Sequence, residues 1–192
     1  MTGAVEDMDA LLSASRAIKE DADRLLREFG VLEQLASYGE VSMGGSYRLN
    51  LMLNGDIDLG VVNAALDLES ALDALTGFIR RGDFYGYEFL DSVRHELPWG
   101  DSREGYFLNM ERLFLGRKWT VEIMLARSAQ PSPDWIEERL TEEGRRTILL
   151  FKHLRNTRNL DIPSHQIYKA VLLDGVADFD SFLGLSKPGN SD

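Results

Sequence analysis

From Met8 to Phe29, apolar residues recur at three- and four-residue steps through Leu11, Leu12, Ile18, Ala22, Leu25 and Leu26, the spacing of one helical face. Ser15 takes the one place in that stripe where an apolar residue is missing. Gly30 breaks the pattern, and a shorter helical turn through Leu32 and Leu35 follows. Glu40 to Gly45 reads as a short strand running into a Gly-Gly turn, and Asp56 to Asn63 reads as a second strand. Leu68 to Ile79 returns to helical spacing, with acids at its start and Gly82 beyond its end. Three more runs, Tyr85–Val93, Gly105–Phe114 and Lys118–Ala126, read as strands. A loop around Leu97-Pro98-Trp99-Gly100 precedes the second of these, and Leu115-Gly116-Arg117 makes a hairpin connection before the third. Pro131-Ser132-Pro133-Asp134 marks a boundary. Beyond it the spacing predicts one helix from Trp135 to about Asn159 and another, opened by Pro163, from Ser164 to about Leu173. The tail Ser186–Asp192 reads as a frayed end.

These elements predict an α+β protein: a mixed β-sheet core with flanking helices and a short C-terminal helical region. The expected parts are an N-terminal helical segment (1–36), a core carrying the sheet (37–127) and a helical region (131–185). A chain of 192 residues is long enough to bury an ordinary core. It has no cysteine, which excludes disulfide scaffolds, thiolate zinc sites and cysteine nucleophiles. The opening MTGAVEDMDA lacks a basic segment followed by an apolar run, and no window approaches the ~18 apolar residues of a membrane span. The expectation is a cytoplasmic protein with no membrane partner. Lys and Arg total 21 against 32 Asp and Glu, a net charge of −11. A field of that sign repels a phosphate backbone, so a long nucleic acid is disfavoured as partner.

The chemistry concentrates in Gly44-Gly45-Ser46-Tyr47-Arg48 and Asp56-Ile57-Asp58-Leu59. Residues two apart share a strand face, so Asp56 and Asp58 point one way while Ile57, Leu59 and Val61 point toward a core. Like charges on one face repel unless a cation sits between them. Trp119–Leu125 repeats the design, with Val121, Ile123 and Leu125 on one face and Glu122 on the other. If the two strands are neighbours, Glu122 joins Asp56 and Asp58 in an oxygen-rich site suited to Mg²⁺, completed by substrate phosphates. Gly44 and Gly45 permit close backbone approach. The exposed N–H groups and the Ser46 hydroxyl can hold phosphate oxygens, and Arg48 can add a charge-assisted contact.

A Gly-Gly-Ser turn, an Asp-x-Asp strand ten residues after Ser46 and a later carboxylate in an apolar strand resemble the DNA polymerase β-like nucleotidyltransferase superfamily. The resemblance implies transfer of a nucleoside monophosphate from an NTP, ATP favoured, to a hydroxyl or other nucleophile, with release of pyrophosphate. It implies that Asp56 and Asp58 bind both metals, Mg²⁺ or Mn²⁺, and that Glu122 binds the catalytic one and helps activate the acceptor. Leu149–Arg155 and Ile162-Pro163-Ser164 are similar to the helical region of template-independent members. That likeness implicates Lys152 and Ser164 in contacting the triphosphate. Independently, no acid lies between Glu143 and Asp161, where Arg145, Arg146, Lys152, Arg155 and Arg158 fall. The run Leu49-Asn50-Leu51-Met52 departs from the Arg-Gly common in the family and is more apolar.

Plainer readings stand beside these. Glu122 also fits cross-strand pairing with an arginine, Gly44-Gly45 a tight turn, and Lys152 and Ser164 a surface lysine and a helix cap. Asp178-Phe179-Asp180 lacks a preceding glycine turn and reads as a solvated terminus. His95, His153 and His165 lack ligand spacing. Trp99, Trp119, Trp135 and Tyr168 read as packing residues, Tyr168 also fitting a base-stacking role. The net acidity favours a small-molecule or protein acceptor. The alternative function is a catalytically silent nucleotide-binding module acting through a partner, suggested by the unusual Leu49–Met52 run.

Overall fold

The computed structural model describes residues 2–97, 103–129 and 134–186, with side chains between residues 8 and 185. The loop residues Pro98, Trp99 and Gly100, most of the Pro131–Asp134 boundary and the tail beyond Ser186 lie outside the described residues. The chain divides into two compact units, residues 16–131 and residues 1–15 with 132–192.

The larger unit holds a five-stranded mixed sheet. Its strands are β1 (Glu40–Met43), β2 (Asp56–Val62), β3 (Gly86–Asp91), β4 (Tyr106–Phe114) and β5 (Arg117–Ala126), in the order β1-β2-β5-β4-β3. β2 and β5 run parallel, and the other pairs are antiparallel. Each central strand alternates. Along β2, Ile57, Leu59 and Val61 are buried while Asp56 is exposed and Asp58 half-buried. Along β5, Val121, Ile123 and Leu125 are buried and Glu122 is exposed. The apolar face packs against Ile18, Ala22, Leu25 and Leu26 of α1 (Thr2–Glu28), Val31 and Leu35 of α2 (Val31–Ala36), and Ala71, Ala74 and Phe78 of α4 (Leu68–Arg81). One face is therefore core, and the other carries the acids at Asp56, Asp58 and Glu122, with Met124 buried further along β5. A single helical turn, α3 (Gly45–Arg48), follows β1 where the pattern suggested only a turn. Leu49, Leu51 and Met52 behind it are at most 8% exposed, so the apolar run fills the core.

The smaller unit is helical: α5 (Asp134–Arg139), α6 (Glu142–Thr157), α7 (Ser164–Leu172) and α8 (Phe179–Ser186), with the start of α1. The expected single helix from Trp135 to Asn159 is broken at Leu140-Thr141. Thr141 adopts an extended backbone, and its hydroxyl accepts the Gly144 N–H at 3.0 Å, capping a fresh helix. Asp178 and Asp180 are exposed, as a solvated segment would be, but Asp178 also starts a helix. Its Oδ1 accepts the Ser181 N–H at 2.8 Å at the start of α8, whose Phe179 and Phe182 pack on Phe151. Ser15, on α1, is buried at 2% exposure. Among the described residues no helix is long and apolar enough to cross a membrane.

Candidate active site

Register builds the site. Asp58 stands directly opposite Glu122 and Asp56 opposite Thr120, in neighbouring parallel strands. Adjacent strands lie about 4.8 Å apart, and side chains of paired positions emerge on the same face. The polar face of the sheet therefore gathers Asp56, Asp58 and Glu122. The same row continues through Asn109 of β4 to Glu88 of β3, and the Asn109 amide donates to Glu88 Oε2 at 2.8 Å. Two residues along β4, Glu111 pairs with Lys118 at 2.6 Å.

Glu122 responds to this company. Its carboxyl is held above the ordinary carboxylate range, first by the desolvating bulk of surrounding protein and then by the Asp58 and Asp56 charges. Glu88 adds to the rise and Arg103 opposes it. Solvent still reaches the side chain, so that bulk thins its hydration rather than removing it.

The glycine turn is fastened to the same strand. Gly44 N–H donates to the Asp58 backbone carbonyl at 2.8 Å. Gly45 has φ of +51°, and a Cβ there would lie 2.6 Å from the Asp58 carboxyl carbon. Conformation and contact both demand glycine, because a side chain would strain the backbone and collide with the carboxylate. Arg48 N–H donates to Gly44 O at 2.9 Å and Leu49 N–H to Gly45 O at 3.3 Å, closing the turn. Ser46 is half-buried and Arg48 exposed, in the same turn that meets Asp58.

Lys152 and Ser164 belong to the helical unit. Lys152 is 4% exposed, deep for a lysine, with its ammonium 5.9 Å from the centroid of the Tyr168 ring. Ser164 opens α7, where Pro163 occupies the cap position, and its hydroxyl accepts from Arg155 Nη1 at 3.1 Å. His95, His153 and His165 are exposed. Trp119 and Tyr168 are buried and Trp135 is half-buried.

Among the described residues, no three His, Cys, Asp or Glu side chains converge as a ready-made metal cage. The fit to Mg²⁺ rests on donor chemistry. The carboxylates are hard oxygen donors at paired register positions, and Mg²⁺ commonly takes one or two carboxylates with waters and substrate phosphates. The Asp58 carboxylate lies against Gly45. Three residues escaped the sequence reading: Asp23 and Lys19, which hold Tyr47, and Asn109. Only the alternation of β4 hinted at Asn109, since it shares Glu122's face.

No protein-family profile matches the chain, and no curated protein matches it in sequence. Among solved structures, it is similar to the Cid1 poly(U) polymerase with magnesium and 3′-dATP bound, at a TM-score of 0.55 and 16% identity. That match covers 86% of this chain but 53% of the polymerase, so the chain spans about half of its structural neighbour. Sheet order, strand register and this likeness agree: the chain has an α+β fold similar to that of the poly(U) polymerase.

Proposed function

We propose that the chain is a metal-dependent nucleotidyltransferase that moves a nucleoside monophosphate from an NTP to an acceptor and releases pyrophosphate. The observation that carries this reading is the register of Asp58 against Glu122 with the Gly44-Gly45 turn seated on Asp58. The neighbouring polymerase, solved with magnesium and a nucleotide, supports it.

In this reading Asp56, Asp58 and Glu122 hold Mg²⁺ or Mn²⁺, which supplies charge neutralisation at the phosphates. The Gly44–Ser46 backbone, the Ser46 hydroxyl and Arg48 bind phosphate oxygens. Lys152 and Ser164 contact the triphosphate on the strength of the motif resemblance. An acceptor hydroxyl loses its proton, its oxygen bonds the α-phosphorus, and the bond to the bridging oxygen breaks so that pyrophosphate leaves. Glu122, opposite Asp58 and open to solvent, is the group placed to help draw that proton. The work is orientation and electrostatics rather than covalent catalysis. ATP is the favoured donor, and the setting is cytoplasmic.

The net charge of −11 favours a small molecule or a protein side chain as acceptor over a long nucleic acid. Incubation of α-labelled ATP with a metabolite extract, a protein extract and RNA sorts these. Label on metabolite or protein is the expected result, lost at least about 100-fold in Asp56→Ala or Asp58→Ala. Label confined to RNA overturns the acceptor assignment, and full transfer by either variant overturns the site. Leu49, Leu51 and Met52 are buried, which gives the unusual run a packing reason, and ATP binding with no pyrophosphate release across the acceptor panel favours the silent-module alternative.

A further inference from the structure

The Gly44–Arg48 turn is fastened on two sides. One fastening is the Gly44 bond to the Asp58 carbonyl. The other runs to α1, through Tyr47. The Tyr47 side chain is 1% exposed, and its hydroxyl donates to Asp23 Oδ1 at 2.7 Å. The same carboxylate oxygen takes the Lys19 ammonium at 2.5 Å, and that ammonium lies 4.2 Å from the centroid of the Tyr47 ring. Lys19 and Asp23 are one helical turn apart on α1, so a single face presents both to the tyrosine.

We propose that Tyr47, Asp23 and Lys19 form a brace that sets the Gly44–Arg48 turn for a nucleoside triphosphate, making all three positioning residues for that ligand. The inference rests on the reading that this turn holds the phosphates. Two successive glycines give the turn much conformational freedom, and an isolated four-residue helical turn does not hold itself. A site that grips phosphate oxygens must be fixed to within about 0.5 Å. Filling the core explains the Tyr47 ring but not its hydroxyl, since phenylalanine occupies the same space. Nor does burial of charge explain Asp23, whose side chain is 44% exposed and has Lys19 as partner. What the hydroxyl adds is a link between the turn and the helix. Burial, and then the bond to Asp23, push the Tyr47 hydroxyl well above its ordinary value, so it stays a donor throughout the neutral range.

The test is calorimetric titration with ATP and Mg²⁺, well below the unfolding temperature, on wild type, Tyr47→Phe, Asp23→Ala and Asp23→Asn. Asparagine keeps an acceptor for the hydroxyl while removing the charge. Tyr47→Phe and Asp23→Ala should weaken ATP binding about tenfold. Asp23→Asn should recover most of the Tyr47 contribution. Unchanged ATP affinity in Tyr47→Phe and Asp23→Ala, with only a lowered unfolding midpoint, overturns the brace and leaves it a packing feature. Failure of wild type itself to bind ATP overturns the phosphate reading and the brace together. The wild-type arm thus separates the two failures.

Discussion

Gly45 carries two independent demands, a left-handed φ and the Asp58 carboxylate where a side chain would be. Gly45→Ala should cost about 1–2 kcal/mol from backbone strain, with a further penalty from displacing Asp58. Urea denaturation reads the first effect, and loss of ATP binding reads the second. A variant with unchanged stability and affinity contradicts this account of the turn. Tyr47 makes a different prediction, one that depends on pH. Its proton affinity is raised in the folded state, by burial first and the Asp23 bond second. The stability it contributes is therefore fully present below the ordinary tyrosine value of about 10 and declines as pH rises above it. At neutral pH, Tyr47→Phe should lose about 1 kcal/mol. Above pH ~10 the wild-type urea midpoint should fall more steeply than that of Tyr47→Phe. Parallel alkaline profiles contradict the assignment. Glycine doublets and an Asp-x-Asp spacing are local signals, so they are legible in sequence. The Asp23–Tyr47 bond joins positions far apart in the chain, and no periodicity announces it.

The strands declared themselves because each buries one face. In β2 and β5 the period-two alternation fixes which side chains leave the core, and a slip of one residue would bury the acids. What alternation cannot supply is partnership. That β2 lies beside β5, parallel, with β3 and β4 beyond, follows from tertiary packing. The pairing of Asp58 with Glu122 was accordingly conditional until the sheet order was known. Helix ends were harder. Trp135, Ile136 and Leu140 keep helical spacing up to the break and Ile148 resumes it beyond, although Thr141 followed by two acids is a helix-start signal. The last helix, α8, was missed because Gly184 and two aspartates obscure an apolar face made by Phe179 and Phe182. Thr141→Ala should remove the α6 cap and cost about 1 kcal/mol, measured by chemical denaturation. Thr141→Ser should recover most of it. Equal loss in both variants points to packing of the threonine methyl instead of capping.

Over the whole chain, charge and site point in different directions. A protein at −11 has gathered carboxylates on one sheet face, and its basic residues between Glu143 and Asp161 fall in the helical unit. Composition alone reads the first fact as reluctance toward long polyanions. The sheet register, which pairs Asp58 with Glu122, is what supports the proposal of a cation site there. Removing Asp58 also changes the charge of this face, and with it the stability of the free protein. Ligand effects are therefore compared within each variant. The central claim is that this carboxylate face and its glycine turn bind an NTP through a divalent cation. Its most direct test is a thermal-shift titration of wild type and Asp58→Ala with ATP, with and without Mg²⁺. A ligand at about 100 times its Kd adds about 2.7 kcal/mol to native stability, which is readily seen. The account predicts a shift in wild type that requires Mg²⁺ and vanishes in Asp58→Ala. A shift that is independent of Mg²⁺, or that survives in Asp58→Ala, contradicts it.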